Sequence, residues 1–288
     1  MTPEKCILLL SMGVNGIALG MILFLLAAGF ELMFGVMRII NMAHGSYFMV
    51  GAYVGIFVGK LSGIFGLGVL AGAVSVGVLG LIMERFFLRY LQDHLQQVFL
   101  TFGVVFILSD LTRMIWGGDP HGISTPALFA GSVEILGKPF PVYRLILIPV
   151  GLLVALGLWI FQAKTRLGAI VRAGVDDREM TGVIGINIKL LSTLVFGGGA
   201  LLAGFGGMMA SPIIAVVPGL DWEILTLGLV VVVVGGLGSL RGALVGSILI
   251  GLADTFGKFL FPEISIVLIF FILAVVLILK PSGMFGGG

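Results

Sequence analysis

Charge is scarce in this 288-residue chain: lysine, arginine, aspartate and glutamate make up 10% of it, against 59% hydrophobic residues. A soluble domain carries about 25% charged residues. A chain this poor in charge cannot cover a water-facing surface, so its solvent is largely lipid. Cysteine is nearly absent as well. Cys6 stands alone, which excludes an internal disulfide framework. The formal net charge of +2 is too small to suggest a nucleic-acid partner. Three histidines are spread along the chain with no paired His/Cys/Asp cluster, so no metal site is expected. No nucleophile–base pattern supports an enzyme. No phosphate cradle is present either: Gly59-Lys60 and Gly257-Lys258 lack both the preceding glycine and the following Ser/Thr of such a loop.

What fills the chain is apolar runs. They cover about 6–30, 42–59, 64–83, 97–116, 143–162, 190–211, 224–260 and 264–279. A spanning helix needs roughly 20 apolar residues. Only Lys5 precedes the first run, which is too long for a signal-peptide core and is read as the first span. The run 224–260 is interrupted at Gly235–Gly242, as two short helices or one broken or re-entrant one. The expectation is an all-α, polytopic transmembrane bundle of eight or nine spans, forming one domain over residues 1–288.

Basic residues in short loops set the orientation. Segment 163–189 holds Lys164, Arg166, Arg172, Arg178 and Lys189, and segment 84–94 holds Arg85 and Arg89. These segments, with 31–41, the turn near Arg241 and the C-terminus, are placed in the cytoplasm. Segment 117–142, whose one lysine is Lys138, and the turn near Pro212–Asp221 are placed outside, and so is the N-terminus. Glycine is abundant, with 46 residues. Small residues let membrane helices approach closely. Two glycine-marked stretches also look alike: His44-Gly45 followed by Gly51 and Gly55, and Arg241-Gly242 followed by Gly246 and Gly251. Repeats with broken helices are common in transporters.

Segment 163–189 mixes charge with apolar residues in a chain otherwise nearly all apolar. Asp176, Asp177, Arg178 and Glu179 open a short helical pattern, since acids suit a helix N-terminus. Met180, Val183 and Ile184 then fall on one face. That face either lies on lipid or docks into a groove on a partner.

Inside the spans, Asp110 and Arg113 stand three apart, and Asp254 and Lys258 four apart. Each pair is expected to meet on one helix face, as a structural ion pair or as a gate near the outer end. Asn41 and His44 sit at the entrance of the second span. Asn41 is a candidate helix cap, and His44 a hydrogen-bonding group within a broken helix.

Four stretches together resemble branched-chain amino-acid ABC permeases of the Liv type. Arg172-Ala-Gly-Val-Asp-Asp-Arg-Glu-Met-Thr-Gly-Val-Ile-Gly-Ile-Asn187 resembles that family's cytoplasmic coupling loop. Asn41-Met-Ala-His44-Gly45 with Val50-Gly-Ala-Tyr53, Val234 through Ala243, and Lys280 through Gly286 resemble three further motifs in family order. Two departures stand out: Ser46 where the family often has an acid, and Gly174-Val175 before the acidic pair.

The resemblance implies a permease subunit in a bacterial plasma (inner) membrane. It implies two cytoplasmic ABC ATPases carrying the ATP and Mg, a second, related permease and a periplasmic or extracellular solute-binding protein. It implies that Arg172, Asp176, Asp177, Arg178, Glu179, Met180, Val183 and Ile184 form the ATPase-coupling segment. Asn41, His44, Asp110, Arg113, Asp254 and Lys258 are the candidate pathway or gate residues. The substrate class implied is branched-chain or similar small amino acids. Urea or short amides, an ion-gradient-driven carrier and a non-transporting membrane scaffold are the rival readings.

Overall fold

The computed structural model describes residues 3–91, 93–135 and 138–286. The organising element is helix α1 (Pro3–Met37). Its 35 residues extend about 52 Å, well beyond a hydrocarbon layer of about 30 Å. Residues 20–30 are buried on every side. A helix that is apolar all round belongs inside a bundle, and α1 is the post around which the others stand. The sequence places a loop at 31–41, but the helix continues to Met37.

After α1 come α2 (His44–Ser62), α3 (Phe65–Phe86) and α4 (His94–Trp116). A short antiparallel hairpin follows, β1 (Ser132–Ile135) with β2 (Lys138–Pro141), a small addition to the expected all-α fold. The chain continues with α5 (Val142–Lys164), α6 (Arg166–Asp176), α7 (Arg178–Val183) and α8 (Ile188–Ala210). Then come α9 (Leu220–Gly235), α10 (Leu240–Leu260) and α11 (Ser265–Leu279). The expected interruption at Gly235–Gly242 is the boundary between α9 and α10.

Seven helical stretches are long and apolar enough to cross a membrane among the described residues: Ile7–Met37, Phe65–Tyr90, His94–Trp116, Val142–Lys164, Ile188–Ala210, Leu240–Leu260 and Pro262–Leu279. Helices α2 and α9 are the remaining long ones and lie largely buried within the bundle. The protein is therefore an all-α polytopic membrane protein.

Lipid gives helices no hydrophobic reason to associate, so close backbone packing takes over. Helices α2, α3 and α8 meet at Gly51, Gly72 and Gly204. A Cβ on Gly51 would strike the Gly204 backbone, and one on Gly72 would strike the Gly51 carbonyl. Gly29 meets Gly199 where α1 crosses α8, and Gly16 and Gly20 meet α10 at Gly251 and Ser247. These contacts are backbone on backbone, so no rotamer change relieves an added side chain.

Two non-helical turns lie at the basic end of the bundle, where segment 163–189 lies, and the first runs back into it. Arg38 has φ 54°, a left-handed conformation that reverses the chain after α1. Residues 38–43 then climb alongside α1, so that His44 reaches the Leu26 carbonyl. Leu26 lies about 16 Å back along α1 from Met37. The second turn, 236–239, uses Gly236 (φ 104°) and Gly238 (φ 82°).

Gly204→Val should abolish a folded product or lower thermal stability in detergent by about 1–3 kcal/mol or more, since the clash is with backbone. Gly103→Ala on α4 meets nothing within 4 Å. It should leave the melting temperature unchanged or slightly raised. Equal effects from the two, read by thermal unfolding, would contradict the packing account.

Candidate functional site

The segment between α5 and α8 is built as a stiff platform. Thr165 Oγ1 accepts from Gly168 N–H at 2.9 Å and starts α6. Val171 and Gly174 of α6 are buried; Gly174 faces Leu191 of α8 and Val36 of α1. Asp177 Oδ1 accepts from Met180 N–H at 2.9 Å and starts α7. Asn187 Oδ1 accepts from Leu190 N–H at 3.0 Å and starts α8. Three side-chain caps thus fix three helix starts in succession.

The acids do not all open one helix. Asp176 ends α6, Asp177 is the cap, and Glu179 sits in the first turn of α7, where the dipole favours it. Asp176, Asp177 and Glu179 line a shallow hollow with Arg38 and His94. Thr181 faces inward and is buried, whereas Met180 (58% exposed), Val183 (79%) and Ile184 (67%) project away from the bundle. The Arg178 side chain lies outside the described residues. Arg172 lies apart from that apolar face: it lines a groove with Gln162 of α5 and Arg241 of α10.

At the first re-entrant turn, Asn41 and His44 are 1% and 0% exposed. Asn41 does not cap α2. Ala43 occupies the cap position, and Asn41 Oδ1 accepts from Ala43 N–H at 3.1 Å, one step before the helix. His44 Nε2 lies 2.9 Å from the Leu26 carbonyl and its ring stands edge-on to Phe30. It therefore bonds to the neighbouring helix rather than within its own. Ser46, the departure from the family pattern, donates to Asp221 Oδ2 of α9 at 2.9 Å. The second turn is held by Glu31, whose carboxylate accepts the Gly238 N–H.

The C-terminal tail closes this site. Met284 and Phe285 N–H groups donate to the carbonyls of Val234 and Gly235 at 2.9 and 2.8 Å. Those carbonyls lie at the end of α9 and have no partner within their helix. The glycine-rich motif and the tail motif, far apart in sequence, are thus one structural unit.

At the opposite end of the bundle Lys258 Nζ lies 2.9 Å from Asp254 Oδ2, so this expected pair forms. Asp254 and Lys258 line a hollow with Asn15, Arg144 and Glu223. The other expected pair does not form. The inward face of α4 carries Gln97, Thr101, Val105, Leu108 and Thr112. Asp110 and Arg113 stand on its outward face, both exposed and without an ion pair among the described residues.

Sequence reasoning missed Glu31, Glu84 and Asp221. The apolar runs leave Glu31 and Glu84 in loops, whereas both lie within helices that run longer than those runs. Glu84 receives Arg89 (3.2 Å) and Thr193, tying the end of α3 to the start of α8. A lone carboxylate flanking an apolar run was the available signal.

The family described as "Branched-chain amino acid transport system / permease component" matches residues 12–277. The high-affinity branched-chain amino acid transport system permease protein BraD of Pseudomonas aeruginosa is 28% identical, over 95% of this chain and 94% of its own. The permease protein LivH of Salmonella typhimurium is 27% identical over 98% and 97%, and LivH of Escherichia coli K12 is 26% identical over the same shares. Among solved structures, PsaBC from Streptococcus pneumoniae in complex with Fab aligns with a TM-score of 0.52 at 13% identity, covering 94% of this chain and 92% of that one. That likeness speaks to fold alone. With the family matched from α1 into α11, the chain belongs to the permease component family of branched-chain amino acid transport systems.

Proposed function

We propose that this chain is the membrane permease subunit of an ATP-driven importer for branched-chain or similar small amino acids. Two cytoplasmic ATPases, a second, related permease and an external solute-binding protein complete the machine. The observation that carries the reading is α7: a short capped helix on a rigid base, with Met180, Val183 and Ile184 exposed and unpartnered among the described residues. An apolar helix face inserted into a partner's groove is a standard recognition mode. The rigid caps suit a lever, because motion imposed on α7 passes directly to α6 and α8. Asp176, Asp177 and Glu179 set an acidic edge beside that face. The nature of the relatives favours amino acids over urea or short amides as cargo.

The chain crosses nine times in this reading, with α2 and α9 as the two largely buried crossings beyond the seven and the N-terminus outside. The 163–189 platform and the C-terminus then share the cytoplasmic side, in agreement with the basic loops. The Asp254–Lys258 pair, beside Arg144 and Glu223, is assigned as the outer gate. Asn41 and His44 brace the inner turn on which the gate movement pivots.

Val183→Asp should lower ATP-dependent uptake by about tenfold or more, with the melting temperature of the permease unchanged, since a charge enters a desolvated contact. Asp177→Asn keeps an equally good cap and should retain α7, whereas Asp177→Ala should lose about 1 kcal/mol of local stability and uncouple ATP hydrolysis from uptake. Full uptake with Val183→Asp would remove the coupling role. Crossing number is checked with single cysteines and a membrane-impermeant maleimide on intact cells. Labelling is expected at Gly63 and not at Gly185; the reverse would invert the topology.

A further inference from the structure

A groove of about 560 Å³ lies between α5, α6 and α10 at the basic end of the bundle. Its wall changes character along its length. Leu152, Leu156, Trp159 and Gln162 follow one face of α5, and the first three are 47%, 50% and 45% exposed. From Leu152 to Gln162 the helix rises about 15 Å, half the thickness of a hydrocarbon layer of about 30 Å. At the Gln162 end two guanidinium groups arrive from different elements, Arg172 of α6 and Arg241 of α10. Neither has an ion-pair partner among the described residues, and no acid lines the groove. Glu31, which accepts the Gly238 N–H through Oε2, is buried and does not line the groove.

A second groove on the other flank of α5 offers a contrast. It is lined by Leu32, Leu158, Phe161, Val171, Leu191 and neighbouring apolar residues, with no charged group. That surface suits acyl chains of any lipid. The first groove adds a place for a charge, and Trp159 stands near the boundary depth where indole rings settle.

We infer that the groove between α5, α6 and α10 is a binding site for one anionic phospholipid of the adjoining leaflet. The phosphate sits between Arg172 and Arg241, with Gln162 as a further donor, and an acyl chain runs along Trp159, Leu156 and Leu152. Basic pockets between helices at the cytoplasmic boundary recognise anionic headgroups in this way. A zwitterionic headgroup would bring an ammonium to two guanidiniums with no carboxylate to receive it. The site bridges α6 to α10, so an occupied groove ties the platform bearing α7 to the turn held by Glu31. This inference rests on the membrane-spanning fold and holds whichever solute is carried.

The test is native mass spectrometry of the purified full-length protein in its complex, titrated with phosphatidylglycerol and phosphatidylethanolamine of matched acyl chains. The wild type should retain phosphatidylglycerol in preference. The double variant Arg172→Gln/Arg241→Gln should lower that retention about tenfold or more, to the phosphatidylethanolamine level. Leu156→Trp fills the groove while leaving both guanidiniums and should lower it too; Arg172→Lys/Arg241→Lys should keep most of it. Equal retention of the two lipids by the wild type, undiminished retention by the Gln double variant and Leu156→Trp, or no lipid on the assembled complex would overturn the site.

Discussion

Inside a bilayer every peptide group must find its hydrogen-bond partner within the protein. Most of this chain meets that demand as helix, and the exceptions organise everything else. Residues 38–43 run non-helically back into the bundle, residues 236–239 turn at its basic end, and side chains or distant backbone partner both. Asn41 and Thr101 of α4 serve the first, accepting from Ala43 N–H and Met42 N–H, and His44 fastens its end to the Leu26 carbonyl of α1. Glu31 and the C-terminal tail serve the second, through Gly238 N–H and the carbonyls of Val234 and Gly235. Apart from the local Asn41–Ala43 bond, these partners come from other parts of the chain, so each turn depends on the helices around it.

The glycine seams answer a second condition of the bilayer, which gives helices no hydrophobic reason to associate. Helices α1, α2, α3, α8 and α10 approach to backbone contact there. The result is a dense centre around α1 with lightly attached helices outside it. Helix α7 stands at the other extreme, with its apolar residues outside the packed bundle. A packed centre and an exposed lever suit the proposed role of a subunit driven by a separate motor.

Much of the fold was legible in the sequence because lipid imposes length and composition on each helix. The break at Gly235–Gly242, the α7 pattern and the Asp254–Lys258 pair follow from spacing alone. Spacing failed for Asp110 and Arg113, because it cannot say which face of α4 turns inward; Thr101, Val105 and Thr112 took that face. It failed for Asn41 because the helix starts at His44, deeper than its apolar run suggests. The bonds of Ser46 to Asp221 and of Glu31 to Gly238 span 175 and 207 residues, and no local pattern encodes such pairings. The acidic run suggests a helix start at Asp176, whereas Asp176 ends α6 and Asp177 caps α7.

The central claim is that α7 seats in an ATP-hydrolysing partner, and site-specific cross-linking tests it most directly. The natural chain has only Cys6, so a Cys6→Ser background allows a single cysteine at Val183 to carry a short photoreactive cross-linker in native membranes. The account predicts a cross-linked product with an ATP-binding chain from position 183 and none from Met114, which is exposed near the other end of the bundle. Uptake that persists while position 183 captures no such chain would contradict it.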